Sequence, residues 1–286
     1  MPDVGFAGLG WQRDLPDFRD YTPQSPVIAG ILSASQPLQA AMGTSPLPSS
    51  TDLRSWCPPI QDQGTINSCT AHAGVALMEY YERRAFNKYL DGSRQYLYKV
   101  TRNLLGWSGD TGAYLRTTMK AMTLLGIPPE QFMAYDPNNY DVEPSSFVYS
   151  LADNYKTTLY YRLDPPGAAP DTILLSIKQY MAANLAAMFG FTIYNSFPGI
   201  GSGSADIPFP SANDSVRGGH AMMAVGYDDN HVINGESGAL LVRNSWGINW
   251  GISGYGWMPY SYVLKGLAAD FWSLAQAKFV DTDLFS

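Results

Sequence analysis

The sequence predicts an α+β fold of two lobes. Three observations carry that reading: helical periodicity in stretches between Asn67 and Ala183, strand-like runs beyond residue 184, and no internal repeat that would interleave them. From Asn67 onward Ala73, Ala76, Leu77, Tyr80 and Arg84 recur at helical spacing, Glu79 and Arg83 are placed to pair on the outer face, and Asn67 or Ser68 can cap. A helix of roughly 18 residues should follow Ser68. Leu115, Met119, Met122 and Leu125 line one face of a second helix, which Gly126 and Pro128 stop. A third is expected from a cap at Asp171 to Ala183, burying Leu174, Ile177 and Met181. Strands are expected at Met188 to Tyr194, His220 to Tyr227, Ala239 to Asn244, Tyr255 to Met258 and Leu274 to Phe279. Between them lie a Gly/Ser/Pro-rich stretch, Ser196 to Gly219, and a polar loop, Asp228 to Gly238. The first 49 residues read as irregular, since Pro16, Pro23, Pro26, Pro37, Pro46 and Pro48 prevent any long helix and no strand alternation replaces it.

Composition narrows the function classes. At 286 residues, 45% hydrophobic and 15% charged, the chain has the makings of a sizeable core. Eighteen Lys and Arg stand against 25 Asp and Glu, and the isoelectric point near 4.8 gives no basic face for nucleic-acid phosphates. No apolar run is long enough for a membrane span. Arg13, Asp14, Asp17, Arg19 and Asp20 stand where a secretory signal needs an apolar core, so the expected location is cytoplasmic, or outside by a route without a Sec-type signal. Two cysteines, Cys57 and Cys69, exclude a disulfide framework. Three scattered histidines make no metal site, and no cofactor is implied.

The chemistry converges on Cys69. A nucleophilic thiol needs a lowered pKa, an imidazole partner and donors for an oxyanion; a helix N-terminus helps with the first. Cys69 is placed at such a terminus, and Gln63, beside the turn-forming Gly64, can point an amide back at it. Downstream come Gly218-Gly219-His220-Ala221 and Asn244-Ser245-Trp246-Gly247, followed by Trp250-Gly251. His72, three residues after Cys69, reads as a residue packed into the lobe behind it, and His231 as a solvated loop residue.

Taken together, Gln63-Gly64 to Ser68-Cys69, His220-Ala221 and Asn244-Ser245-Trp246-Gly247 resemble the three active-site blocks of papain-like cysteine proteases. Gly10-Trp11, Asp17-Phe18-Arg19-Asp20 and Asp52-Leu53-Arg54 are similar to the bacterial, disulfide-poor branch of that family. The resemblance implies a papain-like fold, with a helical lobe over about residues 60–165 carrying Cys69 and a β-rich lobe over about 166–286 carrying His220 and Asn244. It implies Cys69 as nucleophile, His220 as acid and base, Asn244 as orienter of the imidazole, Gln63 as oxyanion donor and Trp246 as a shield over the His–Asn bond. Gly112, Ala113, Leu115, Gly218 and Gly219 would contact a protein or peptide substrate. His220 and Asn244 follow Cys69 by about 150 and about 175 residues, against roughly 130–150 for both in papain-like enzymes, so Asn244 overshoots and an inserted hairpin tip must absorb the excess. Ile66 and Thr70 stand where the local signature has a cysteine and an aromatic. Residues 1–49 would act as a pro-segment over the cleft, anchored by Trp11, Leu15, Phe18 and Tyr21, or as a strap bracing the lobes. The same triad would also serve an amide transferase or a cell-wall peptide amidase, and a binding protein on a degenerate protease fold is the remaining alternative.

Overall fold

The computed structural model of the protein describes residues 8–33, 36–43 and 46–277. The chain enters through a two-residue strand, β1 (Trp11–Gln12), and then forms two eight-residue helices, α1 (Pro26–Ser33) and α2 (Gln36–Gly43). The stretch expected to be irregular is therefore partly helical. Pro26 starts α1 and Pro37 falls in the first turn of α2, where a missing N–H costs nothing and a fixed φ is already helical.

After β2 (Ser50–Asp52) come α3 (Cys69–Phe86), α4 (Arg94–Leu105), β3 (Ala113–Tyr114), α5 (Leu115–Leu124) and α6 (Ser146–Ala152). The central helix α3 is buried nearly all round, with Cys69 through Tyr80 inaccessible. Its small residues allow that: a Cβ on Gly74 would stand 3.1 Å from Thr118 Cγ2 of α5 and 3.3 Å from Leu97 Cδ2 of α4. The expected Glu79–Arg83 surface pair does not form. Glu79 is buried and takes both oxygens to Arg94 Nη2 at 2.9 Å, while Arg83 turns to the Cys57 carbonyl. Nor does Ser68 cap α3 with its side chain; its hydroxyl meets Tyr135 Oη at 2.6 Å.

The remaining elements are β4 (Thr157–Arg162), α7 (Pro170–Ala182), β5 (Ala187–Tyr194), β6 (Val216–Ile233), β7 (Glu236–Arg243), β8 (Tyr255–Pro259), α8 (Ser261–Leu264) and β9 (Ala268–Ala277). Seven strands make one antiparallel sheet in the order β4-β9-β5-β6-β7-β8, with β2 also paired to β6. Because β4 joins this sheet, its strands begin before residue 166. Helix α7 starts at Pro170 without a side-chain cap, so Asp171 is a first-turn residue rather than the cap. The last strand begins at Ala268, six residues before its expected start; Lys278 and Phe279 lie outside the described residues.

The expected polar loop at Asp228 to Gly238 is instead mostly strand. β6 and β7 continue until Ile233 faces Glu236, and Asn234 and Gly235, at φ 51° and 87°, close a two-residue turn. This hairpin tip supplies the extra length between His220 and Asn244. His231 on it is half-buried, stacked on Trp257 at 4.5 Å with Nε2 2.8 Å from Asp206.

Candidate active site

Pairing of β6 with β7, Met223 opposite Arg243, carries His220 and Asn244 to the same end of two neighbouring strands. There His220 Nε2 stands 2.8 Å from Asn244 Oδ1, which also accepts the Ser245 N–H at 2.8 Å. An amide oxygen can only accept, so Nε2 carries the proton and Nδ1 is left as the basic nitrogen. Trp246, 1% exposed, packs with its ring 4.9 Å from the imidazole centroid, and Phe191 meets the imidazole edge-on at 5.9 Å.

Cys69 begins α3, whose first turn contains no acidic residue to offset the positive helix end. The backbone amides of Ala221, Gly10, Thr70 and Trp11 interact with its sulfur. Ala221 follows His220 on β6, which is the link between the thiol and the strand that carries the imidazole. Burial nevertheless dominates both groups: the Cys69 thiol is pushed up to about 12, the four amides opposing, and the His220 imidazole down to about 4, the Asn244 bond opposing.

Gln63 is fully buried and fixed at three points. Its N–H donates to the Ser245 carbonyl at 2.8 Å, its Oε1 accepts the Ser245 hydroxyl at 2.7 Å, and its Nε2 donates to the Gly8 carbonyl at 2.8 Å and the Ile66 carbonyl at 2.9 Å. Ser245 thereby aims the amide of Gln63. The sequence contains it in plain view, but nothing in the spacing tells that residues 63 and 245 touch.

The segment around β1 runs over these groups. Gly8 N–H donates to Gly64 O at 3.1 Å, Gly10 N–H to Gly219 O at 2.9 Å, and Ala113 N–H to Gly10 O at 2.8 Å; Trp11 and Gln12 pair in parallel with Ala113 and Tyr114. The fit tolerates no side chain at the crossing points: a Cβ at Gly10 would stand 1.9 Å from Asn67 O, and one on Gly112 2.1 Å from Gly10 O. Leu9 sits on Gly218 and Trp11 on Gly219 and Gly190. Of the residues implicated in substrate contact, Gly112, Ala113, Gly218 and Gly219 thus touch the segment, and Leu115 is buried at the start of α5. Among the expected anchors only Trp11 is buried; Leu15 is 74%, Phe18 98% and Tyr21 44% exposed. Charged residues hold the rest, Asp20 reaching Arg116 Nη2 at 2.7 Å and Arg162 Nη1 at 3.0 Å. The spaced glycines Gly8 and Gly10 were the sequence signal of that close passage. His72 is buried as expected, its Nδ1 3.1 Å from Ser68 O.

A thiol at a helix start, an imidazole oriented by an amide, and a clamped glutamine make up the equipment of a thiol-dependent hydrolase. Comparison with known proteins agrees. Residues 47–268 match the sequence profile of the papain family cysteine proteases, and the chain belongs to that family. It is 32% identical over 220 residues to an uncharacterized peptidase C1-like protein of Acanthamoeba polyphaga mimivirus, covering 75% of this chain and 69% of that one. The structure of xylellain, a cysteine protease from Xylella fastidiosa, superposes with a TM-score of 0.74 at 33% identity, covering 96% of this chain and 97% of that one. Cathepsin K of Gallus gallus is 27% identical over 214 residues, of which the match spans 73% of this chain and 58% of the relative. The protein is a papain-like cysteine protease with an α+β, two-lobed fold. No helix among the described residues is long and apolar enough to cross a membrane.

Proposed function

We propose that this peptidase hydrolyses protein or peptide substrates through a thioester on Cys69, and that residues 1–49 form a pro-segment-like region regulating access to a catalytic domain spanning 50–286. One observation supports the reading: Gln63, Cys69, His220 and Asn244 are all present, and the passage around β1 sets the Gly8 carbonyl on Gln63 Nε2. In the open enzyme the Cys69 thiolate attacks the scissile carbonyl. Gln63 Nε2 and the Cys69 N–H hold the oxyanion. His220 gives the leaving amine its proton from Nδ1, then activates the water that releases the acid. Asn244 keeps the imidazole in the tautomer this requires, and Trp246 keeps water from the bond between them.

The covered state is silent for two physical reasons. Gln63 Nε2 already holds the Gly8 carbonyl, so the donor for an oxyanion is taken. With the thiol raised and the imidazole lowered by burial, the proton stays on sulfur and the reactive ion pair is not formed. Removing the segment rehydrates both groups. The test is labelling by an epoxysuccinyl thiol inhibitor with and without residues 1–49, the modified residue being located by peptide mapping. Faster labelling of Cys69 in the shortened, folded chain is expected. Unchanged labelling with lost stability would make the segment a strap.

A further inference from the structure

The segment is fastened to the domain by acids facing acids. Asp14 donates its N–H to Asp270 Oδ2 at 2.8 Å, and the Trp11 indole donates to the same oxygen at 3.1 Å. The Asp14 carboxyl accepts the Trp272 indole N–H at 3.0 Å and the Arg116 backbone N–H at 3.1 Å, with the Arg116 guanidinium no nearer than 4.0 Å. Six residues on, Asp20 accepts Arg116 Nε at 2.7 Å and Arg162 Nη1 at 3.0 Å. Arg162 Nη2 also reaches Asp164 at 3.2 Å and Asp270 at 3.1 Å.

Four carboxyl groups therefore share two guanidiniums, and the four acidic side chains are at most 7% exposed. Every element packed here contributes: Asp14 and Asp20 from the segment, with the exposed Arg13; Asp270 and Trp272 from β9; Arg162 from β4, with Tyr160 edge-on to Trp272; Asp164 just after β4; and Arg116 from α5. Fully ionised, the cluster would hold two uncompensated negative charges away from water. Undocking would carry Asp14 and Asp20 into solvent and leave Arg162 with Asp164 and Asp270.

Resting on the reading that this segment covers Cys69, we propose that docking takes up a proton from solvent at the buried Asp14 carboxyl, so that the segment is locked down in mild acid and released as pH rises through neutrality. The direction follows from the burial. Desolvation, and next the Asp270 charge, lifts the docked Asp14 to about 7, Arg116 and Trp272 only partly opposing, whereas a solvated aspartate titrates near 3.9. The docked state thus binds more protons. Its advantage is complete below about pH 4, falls by up to tenfold per pH unit between about 4 and 7, and is spent above that.

The experiment measures modification of Cys69 in the full-length chain by dithiodipyridine, which reacts in acid, from pH 4.5 to 7.5, for the wild type and for Asp14→Asn. Asparagine is neutral and keeps an oxygen for Trp272 and Arg116, so the ratio of the two rates cancels the pH dependence of the thiol and the reagent. That ratio should rise by about 10²-fold across the range and then level off. A ratio constant within about twofold overturns the proposal. Should Asp14→Asn melt early, Asp270→Asn, read the same way, flattens the response from the other partner or overturns the proposal in its turn. Deleting residues 1–49 separates the two readings: if deletion leaves Cys69 modification unchanged, the covering role fails; if deletion accelerates it while the ratio stays flat, only the proton-linked latch fails.

Discussion

Cys57 and Cys69 are both buried, both unbridged, and both have thiols raised by desolvation. Their difference lies in what covers them. Cys57 points its thiol at the Leu53 carbonyl, 3.7 Å away, with Arg243 nearby. Cys69 lies at a helix start, and the backbone of Gly10 and Trp11 interacts with its sulfur. Burial alone therefore does not distinguish an inert thiol from a nucleophile. The helix start and the His220–Asn244 pair do, together with a cover that can leave on the reading proposed above.

Cys69→Ala should sharpen that contrast most, abolishing peptide hydrolysis and inhibitor labelling while circular dichroism and the melting profile hold. Hydrolysis comparable to the parent in that variant would end the mechanism. His220→Ala should come close behind, and Asn244→Ala should be milder, since the imidazole survives but loses its orienter; their kcat values would rank them. Gln63→Ala should lower kcat by roughly 10²-fold or more with little change in KM, because its bond to the oxyanion strengthens in the transition state. Ser245→Ala should show the same kcat-weighted pattern more weakly, about tenfold by the loss of one orienting hydrogen bond. An effect on KM alone would recast Ser245 as a substrate contact. Cys57→Ala should do least, leaving most activity, and millimolar reductant should leave the melting temperature where it was.

How legible this was depended on whether apolar pattern or charge organised the segment. Helix α3 could be found because Ala73, Ala76, Leu77 and Tyr80 repeat at its own period, and the blocks around His220 and Asn244 were plain as motifs. Helix α4 could not. Arg94, Gln95, Lys99 and Arg102 interrupt its face, yet all four are buried, bonded to Glu79, Asp141 and the carbonyls of Asn139 and Tyr140. No periodicity argument reveals an arginine that becomes a core residue through a partner far away. The same holds for β1, fixed by fit against Gly112 and Gly219, and for the exposed Leu15, Phe18 and Tyr21, whose apolar character suggested anchors where Asp14 and Asp20 do the fastening.

The bonds that complete the cleft also say something about how the chain comes to fold. Gln63 and Ser245 are 182 residues apart, and Trp11 and Asp270 are 259 apart. Contacts at such separations carry the largest loop-closure cost and form late. During synthesis Trp11 is made well before β9 and must wait for it before it can dock on Asp270. The bonds that fix Gln63 and the segment around β1 are thus expected among the late steps of folding, since each must await residues from a distant part of the chain.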